Sequence, residues 1–501
     1  MNAKKFYITT PLYYVNDKPH VGHAYTTLAA DVLARHLRSR DIPVYLQTGT
    51  DEHGAGIERA ALEHGEGPKA WCDKVSSEFR SLWRTLNVGY DRFIRTTDPS
   101  HEAAVQAAFE KLLKAGDIYK GSYEGVYCPS CEVFYDETEL NDGRCPVHNT
   151  PAERVSEETY FFRLSNYEKP LLKHYAAHPG FLSPGHRAQE LLNFVRSGLK
   201  DVSVSRSRVA WGVPVRPAPG HTVHVWFDAL LNYATGPGYH PEKPSPDLPG
   251  IWPADVHLVG KEIFRFHGVI WPAMLMALGL ELPRKVYAHG WWTINGAKMS
   301  KARGNFIRAE DVVRDYGVDA LRYFLFREVP FGQDGDFSME AFRRRYNADL
   351  ANDLGNLFSR IMNMASHYLD LKLPSKPESS DLFGELSSRT PVIYGAMEDL
   401  RFSEALESIW GGIGRLNRLV DERKPWALAK TDPEALKSFL HEMIWCLRLV
   451  AGWLDPFMPD TASKMQLQLG VGRSLDGTPP QKVPPLFPRK QDDAPKDTRT
   501  N

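Results

Sequence analysis

The sequence has few cysteines, no long hydrophobic run and no excess charge of either sign. Five cysteines among 501 residues are too few for a disulfide-based fold. The longest apolar run, Gly268–Leu280, is shorter than the roughly 20 residues that span a membrane, and the amino terminus lacks the cleavage pattern of a secretory signal. We therefore expect a soluble, cytoplasmic protein with no membrane contact.

The charge balance does not indicate a partner. Lys and Arg number 61 and Asp and Glu 62, which leaves a formal net charge of -1, although a large protein can still contain a local basic groove. Hydrophobic residues make up 42% and charged residues 25% of the chain, an ordinary globular composition. At this length we expect several compact domains rather than extended disorder.

The amino-terminal region predicts a βαβ unit. Residues 6–15 are rich in β-formers, residues 16–19 form a polar turn, and Ala29, Leu33 and Leu37 recur at helical spacing before a second β-rich segment at 43–49. Such units form parallel sheets that bind ligands at the carboxyl ends of their strands. Strand-like segments at 223–227, 256–259 and 285–288 indicate the second half of the same α/β domain.

The regions after this unit change in pattern. Short β-like pieces and turns interrupt the α/β pattern, and beyond residue 343 the apolar residues recur at helical spacing. The predicted boundaries are an α/β first half at 1–117, a connective insertion at 118–222, an α/β second half at 223–297, a lysine-containing loop region at 298–349, an all-α bundle at 350–470 and a Pro-rich polar tail at 471–501.

Two short motifs predict phosphate chemistry. His20-Val21-Gly22-His23 lies where the first strand leads into a helix, and a helix amino terminus favours phosphate. Lys298-Met299-Ser300-Lys301 lies at the end of the second α/β half, where its lysines could stabilise a departing pyrophosphate. An isolated HxGH is usually an ordinary turn and isolated lysines usually solvated, but the two motifs together favour a nucleotide site.

Three cysteines and a histidine predict a metal site in the insertion. Cys128 and Cys131 form one closely spaced pair, and Cys145 and His148 form a second. Two such pairs can surround one tetrahedral Zn²⁺ and leave no open position for water. We therefore expect one structural zinc ion, with metal-free reduced thiols as the alternative.

The motifs together resemble those of the class I aminoacyl-tRNA synthetases, and most closely the methionyl-tRNA synthetase family. The resemblance includes the stretches TTPLYYVNDKPHVGH, LQTGTDEHG, VWFDALLNY, GKEIFRFH, HGWWTINGAKMSK, NDLGNLFSR and KPW. These stretches run in family order over nearly the whole chain. The resemblance implies a Rossmann-type α/β catalytic domain with a zinc-bearing connective insertion, followed by an all-α anticodon-binding helical bundle.

The resemblance also implies an activity and the residues that perform it. Methionine is activated with Mg²⁺-bound ATP and transferred to the 3′-terminal adenosine of tRNA(Met), by a chain that we expect to be a monomer. The implied catalytic residues are His20, His23, Lys298 and Lys301. The implied ATP-binding residues are these four with Gly22, Lys261 and Glu262. The implied methionine-binding residues are Leu12, Tyr14, Asp51, Trp226, Ala229, Tyr233 and His267. The implied anticodon-binding residues are Asn356, Arg360 and Trp426.

Two other functions remain open on the sequence. A nucleotidylyltransferase shares the HxGH motif and an α/β core, but it needs neither a zinc insertion nor a helical bundle. A catalytically inactive tRNA-binding paralogue would share the whole architecture. The intact HVGH and KMSK motifs and Asp51 argue against the paralogue, because an inactive site is free to lose such residues.

Overall fold

The structure is a computed structural model that describes residues 4–128, 133–135, 137–146, 150–298, 307–369, 381–470 and 484–490. The chain divides into two compact units, Met1–Trp291 and Trp292–Asn501. Within the part of the chain that the structure describes, no helix is both long enough and apolar enough to cross a membrane.

The first unit contains strands and helices in alternation, as the βαβ pattern predicts. Its strands are β1 (Phe6–Tyr14), β2 (Val44–Asp51), β3 (Arg92–Arg95), β4 (Ile118–Cys128), β5 (Val133–Tyr135), β6 (Glu153–Phe162), β7 (Leu182–Ser183), β8 (Val202–Ser203), β9 (Ser205–Arg206), β10 (Thr222–Val223), β11 (Val256–Gly260) and β12 (Val286–His289). Its helices are α1 (Val21–Arg38), α2 (Ala55–Glu63), α3 (Pro68–Thr85), α4 (Pro99–Ala115), α5 (Glu168–Ala177), α6 (Gly185–Arg196), α7 (Val225–Thr235) and α8 (Trp271–Leu278).

A six-stranded sheet is the centre of this unit. Its order is β3-β2-β1-β11-β12-β7, and every pairing is parallel. The chain moves outward from β1 to β2 and β3 on one side and from β11 to β12 on the other, so β1 and β11 flank the point where strand order reverses. In such sheets the carboxyl ends of these two strands open a crevice for a ligand.

The connective insertion forms a second, antiparallel sheet of order β5-β4-β6-β8. Its main pairing, β4 with β6, runs from Ile118 opposite Phe162 to Tyr127 opposite Glu153. Phe162 is fully buried in the same hydrophobic core as Tyr7 of β1 and Trp271 of α8. The short strand β7 lies within the predicted insertion 118–222 but forms the edge of the parallel sheet.

One strand expected from the sequence is largely helical. Residues 223–227 were expected to be a strand, whereas β10 ends at Val223 and α7 begins at Val225. The predictions at 256–259 and 285–288 are confirmed by β11 and β12. The local β-branched and aromatic pattern at 223–227 is overridden because α7 buries most of its length, and burial outweighs intrinsic propensity.

The second unit is mainly helical and begins with a small sheet. The strands are β13 (Trp292–Ile294), β14 (Ala297–Lys298) and β15 (Gly335–Asp336), and the helices are α9 (Ala309–Tyr316), α10 (Val318–Arg327), α11 (Met339–Arg345), α12 (Leu357–Tyr368), α13 (Asp381–Ser387), α14 (Thr390–Glu398), α15 (Phe402–Arg423), α16 (Pro425–Thr431), α17 (Pro433–Leu454) and α18 (Pro459–Gln468). A π-helical segment, Tyr346–Asn356, joins α11 to α12.

Part of the Pro-rich tail packs on this unit. Phe487 is buried and meets the ring of Tyr346 edge-on. Asn347 donates its side-chain amide to the carbonyl of Lys490 over 3.0 Å and accepts the Lys490 N–H over 3.1 Å. Residues 484–490 are therefore anchored to the π-helical segment by paired hydrogen bonds.

Candidate functional site

Two histidines of the HVGH motif form the amino-terminal cap of α1. The Gly22 N–H donates to Nδ1 of His20 over 3.0 Å, and the His20 N–H donates to Nδ1 of His23 over 3.1 Å. The His20 side chain also accepts from the backbone N–H of His23, which completes a capping box with the contact from the His20 N–H to His23. These contacts satisfy donors that a helix otherwise leaves without partners. The sequence predicts the histidines at a helix start but not their use as the cap itself.

The cap fixes the tautomer of both imidazoles. Because Nδ1 accepts a backbone N–H in each ring, the proton of each neutral ring lies on Nε2. The ring centroids of His20 and His23 are 3.9 Å apart, so the two rings form one small surface at the positive end of the α1 dipole. This surface is suited to an anionic ligand.

Gly22 leaves room for this arrangement. A Cβ atom at Gly22 would lie 2.8 Å from Cε1 and 3.0 Å from Nδ1 of His20. Any side chain at this position would therefore push the His20 ring away from the helix end.

The other predicted nucleotide residues of this unit follow β11. Lys261 and Glu262 lie in a short 3₁₀ turn directly after that strand. Trp291, which follows β12, donates its indole N–H to Oε2 of Glu262 over 2.6 Å, and the ammonium of Lys261 lies 4.2 Å from the Trp291 ring centroid. The sequence did not single out Trp291, although its place after a strand of the sheet was a usable signal.

Tyr233 and His267 form the buried floor of the predicted methionine pocket. Nδ1 of His267 lies 2.9 Å from the carbonyl of Ile263 and Nε2 lies 2.7 Å from the Tyr233 hydroxyl. Nδ1 is therefore the donor, and Nε2 accepts the hydroxyl proton of Tyr233. Burial lowers the pKa of His267 to about 4, so this floor is uncharged at neutral pH.

The remaining predicted pocket residues come from α7 and from the ends of β1 and β2. Trp226, Ala229 and Tyr233 share one face of α7 by their spacing, and the Trp226 ring stacks on Phe266 at 3.7 Å between centroids. Leu12 and Tyr14 are half-buried on β1, and Tyr14 pairs in register with Asp51 of β2. Burial raises the pKa of Tyr233, and the charge of Asp51 adds to that rise.

The lysine motif, residues 298–301, lies mostly outside the described residues. Lys298 lies in β14, opposite Thr293 of β13, while Lys301 falls in the segment that the structure does not describe. Asn295 and Gly296 have φ values of 52° and 72°, as a two-residue hairpin turn requires. The Asn-Gly dipeptide is a strong signal of such a hairpin in the sequence.

Two of the four predicted zinc ligands can be placed. Cys128 and Cys145 are buried, and both contact Thr150: Sγ of Cys128 lies 3.5 Å from the Thr150 hydroxyl, and the Cys145 N–H donates to the Thr150 carbonyl over 2.9 Å. Cys131 and His148 lie outside the described residues. Among the residues that are described, no group of three or more metal-binding side chains forms, and the zinc site stays a prediction.

The predicted anticodon residues lie on the helical unit. Arg360 on α12 contacts Asp421 at 3.3 Å, and its guanidinium lies 5.7 Å from the ring centroid of Trp426. Trp426 is 52% exposed, which is unusual for an indole, and Asn356 is exposed at the end of the π-helical segment. The structure thus brings an exposed indole and a guanidinium together, as a stacking surface for a base requires.

Comparison with known proteins places this architecture in a class. The sequence model described as "tRNA synthetases class I (M)" matches residues 6–154 and 135–362. A second model, "Anticodon binding domain of methionyl tRNA ligase", matches residues 374–481. The chain belongs to the class I tRNA synthetases.

Individual relatives narrow this assignment. The methionine–tRNA ligase of Caldanaerobacter subterraneus is 49% identical over 97% of this chain and 79% of its own length, and that of Streptomyces coelicolor is 46% identical over 96% and 92%. The structure of Mycobacterium tuberculosis methionyl-tRNA synthetase in complex with methionyl-adenylate matches with a TM-score of 0.91 and 40% identity over 97% of this chain and 100% of that one. Within its class, the chain belongs to the methionyl-tRNA synthetases, which are methionine–tRNA ligases.

Proposed function

We propose that this chain activates L-methionine with ATP to methionyl-adenylate and transfers the methionine to the 3′-terminal adenosine of tRNA(Met). Its active site comprises the residues at the carboxyl ends of the parallel strands. The observation that carries the proposal is the pair of tautomer-fixed histidines at the start of α1, beside the β1–β11 crevice. Membership of the methionine–tRNA ligases supplies the substrate.

His20 and His23 stabilise the charge that develops during activation. The methionine carboxylate attacks the α-phosphorus of ATP and pyrophosphate leaves, so negative charge on the phosphate oxygens is redistributed in the transition state. Two Nε2–H donors held by the α1 cap meet that charge without reorganisation. Lys298 and Lys301 neutralise the departing pyrophosphate, Gly22, Lys261 and Glu262 border the nucleotide, and no protein nucleophile is required.

Methionine is selected by an uncharged aromatic pocket with one carboxylate at its mouth. Asp51 accepts hydrogen bonds from the ammonium group of the substrate. The thioether is surrounded by the other pocket residues, Leu12, Tyr14, Trp226, Ala229, Tyr233 and His267. Sulfur makes favourable contacts with aromatic rings. Because His267 is neutral at pH 7, the pocket offers no partner to a charged side chain.

Two metal ions belong to the proposal. One Zn²⁺ held by Cys128, Cys131, Cys145 and His148 fastens the insertion, and the burial of both described cysteines around Thr150 fits such a role. Closed four-ligand sites of this kind contribute folding energy rather than catalysis. Mg²⁺ accompanies ATP. We also infer a cytoplasmic monomer.

The anticodon of tRNA(Met) is recognised on the helical unit. An exposed indole beside a guanidinium can stack and hydrogen-bond with splayed single-stranded bases, the usual mode of sequence-specific RNA recognition. Trp426 and Arg360 have this arrangement, and Asn356 lies one helical turn before Arg360.

Amino-acid-dependent exchange of pyrophosphate into ATP tests the proposal. The assay is run with each of the twenty standard amino acids in turn, and charging of tRNA(Met) is measured beside it. We expect exchange with methionine alone and charging of tRNA(Met). Exchange with a different amino acid would contradict the pocket, while tRNA binding without any exchange would indicate the inactive paralogue.

A further inference from the structure

Two motifs of the chain contain buried charged residues that the proposed mechanism does not use. His53 follows Asp51 in TDEHG, and Asp228 follows Trp226 in VWFDALLNY. Nδ1 of His53 lies 2.7 Å from Oδ2 of Asp228, and Nε2 of His101 lies 2.8 Å from Oδ1 of the same carboxylate. The exposed fractions of the Asp228, His101 and His53 side chains are 0%, 1% and 3%.

This buried cluster carries charge at neutral pH. Burial opposes the charge on His53, but the Asp228 carboxylate raises the pKa of that imidazole to about 10. Burial likewise opposes the charge on Asp228, but the two imidazoles hold its pKa at about 2. The Glu102 carboxylate lies 3.6 Å from Nε2 of His53, on the side away from Asp228. A paired buried charge of this kind fixes geometry closely, because losing either partner leaves the other uncompensated.

The cluster joins α4 to the two elements that carry Asp51 and the α7 residues of the predicted pocket. His53 belongs to the segment after β2, His101 to α4, and Asp228 to α7. Nδ1 of His101 lies 2.7 Å from the hydroxyl of Thr235, so His101 contacts α7 at two points that lie two helical turns apart. These contacts define both the rotation of α7 about its axis and its position along that axis.

The opposite face of α7 carries the pocket residues. Trp226, Ala229 and Tyr233 lie on one face by their spacing, and Asp228 and Thr235 lie on the face that meets His101. A displacement of the α7 face that carries Asp228 and Thr235 therefore moves the aromatic pocket residues relative to Asp51. Glu52, between Asp51 and His53, is held separately by Arg95, whose Nε and Nη2 lie 2.7 Å and 2.8 Å from the two carboxylate oxygens.

We propose that Asp228 is a positioning residue that, through His53 and His101, sets the distance between the α7 face of the methionine pocket and Asp51. Asp228 itself does not touch the substrate. The inference rests on the proposed function, because it concerns how tightly the same site holds methionine. It assigns a role to the histidine of TDEHG and to the aspartate of VWFDALLNY.

The test is Asp228→Asn, which conserves shape but replaces one acceptor oxygen by a donor that faces a histidine N–H. We expect the KM for methionine in pyrophosphate exchange to rise by about tenfold or more, since small misplacements of a site cost large factors. The KM for ATP should stay within about twofold of the original value, because the histidine cap of α1 is not part of the cluster. A His53→Gln variant and the double variant complete a cycle, and we expect the two changes to be strongly non-additive in the methionine KM.

The matched control is Asp31→Asn. Asp31 is also fully buried and also hydrogen-bonded, with Nε of Arg35 at 2.8 Å and the Gly89 N–H at 2.8 Å among its partners, but it is not one of the predicted pocket residues. We expect this variant to lose thermal stability and to keep both KM values. A general effect of disturbing a buried carboxylate would raise the methionine KM in both variants.

The outcomes separate the inference from the proposed function. Absence of methionine-dependent exchange in the unmodified protein would contradict the proposed function itself. Normal exchange with an unchanged methionine KM in Asp228→Asn would overturn the positioning role alone. If Asp228→Asn does not fold, Thr235→Val removes the second contact of His101 together with the hydrogen bond that the Thr235 hydroxyl donates to the Asn232 carbonyl over 3.4 Å. An unchanged methionine KM in that variant overturns the inference as well.

Discussion

The two roles of His20 can be separated by two substitutions. Its Nδ1 accepts the Gly22 N–H at the start of α1, and its Nε2–H serves the substrate phosphate in our proposal. Alanine removes both functions. Asparagine keeps a side-chain acceptor, since it is among the most favourable helix caps, but it has no group that reaches the position of Nε2. The pair His20→Ala and His20→Asn therefore distinguishes stability from catalysis.

The expected losses of stability and of kcat follow from the hydrogen bonds at Nδ1 and at Nε2 of the His20 ring. Loss of a capping acceptor costs about 1 kcal/mol, while His23 still accepts the His20 N–H in either variant. Loss of one donor to a developing anion costs about 10²–10³ in kcat. We expect both variants to lose at least about 100-fold in the kcat of methionine-dependent pyrophosphate exchange, and only the alanine variant to destabilise the start of α1.

Two measurements read these effects. Pyrophosphate exchange at saturating ATP gives kcat, and hydrogen–deuterium exchange of the peptide that contains the start of α1 reports local opening. A His20→Asn variant with unchanged kcat would refute the role of Nε2–H. Equal protection of α1 in the alanine and asparagine variants would refute the role of Nδ1 as the cap.

Three further outcomes are expected. The pKa of His267 lies at about 4 instead of near 6.5, so between those values the unfolded chain binds more protons than the folded protein, and the free energy of unfolding should fall by up to about 3 kcal/mol as pH falls through that window. Denaturant titrations should show that the free energy of unfolding depends more steeply on pH in the unmodified protein than in His267→Gln. Equal pH dependence in the two proteins would contradict the assignment. Elemental analysis should find one zinc ion per chain. The ion should be lost in Cys145→Ser and kept in the control Cys446→Ser, which changes another buried cysteine. Retention of zinc in both variants would exclude Cys145 as a ligand. Trp426→Ala should lower kcat/KM for charging tRNA(Met) by about tenfold or more, because stacking of one base contributes roughly 1–3 kcal/mol. The same variant should leave pyrophosphate exchange unchanged. A parallel loss of exchange would indicate misfolding instead of lost recognition.

Local sequence patterns predicted the parts of the fold that depend on local chemistry. The turn before α1, the strands β11 and β12 and the helical second unit follow from periodicity and turn residues. The strand expected at 223–227 was wrong because the tertiary environment of α7 outweighed local β-propensity. The position of β7 at the sheet edge could not be predicted, since a strand of two residues leaves no periodic signal.

The candidate site was predicted only where a motif marks it. His20 and His23 lie three positions apart in one motif, so their joint role could be inferred. The contacts of Asp228 reach His53 and His101 at separations of 175 and 127 residues, and no local pattern connects positions so far apart. Such contacts are visible only once the chain is folded.

The pairing of β1 with β11 also constrains how the protein can be made. Thr9 and His257, which pair in this sheet and are hydrogen-bonded through their side chains, are 248 residues apart. At about 5–20 residues per second, a ribosome needs roughly 12–50 s to synthesise the chain between them. During that interval β1, whose Tyr7 and Ile8 are fully buried in the finished protein, lacks one of its two neighbouring strands, while β4 and β6 of the insertion can already pair. The nucleotide crevice therefore cannot form until β11 has been synthesised, and a chain released before residue 256 would leave one edge of the apolar strand β1 open to aggregation.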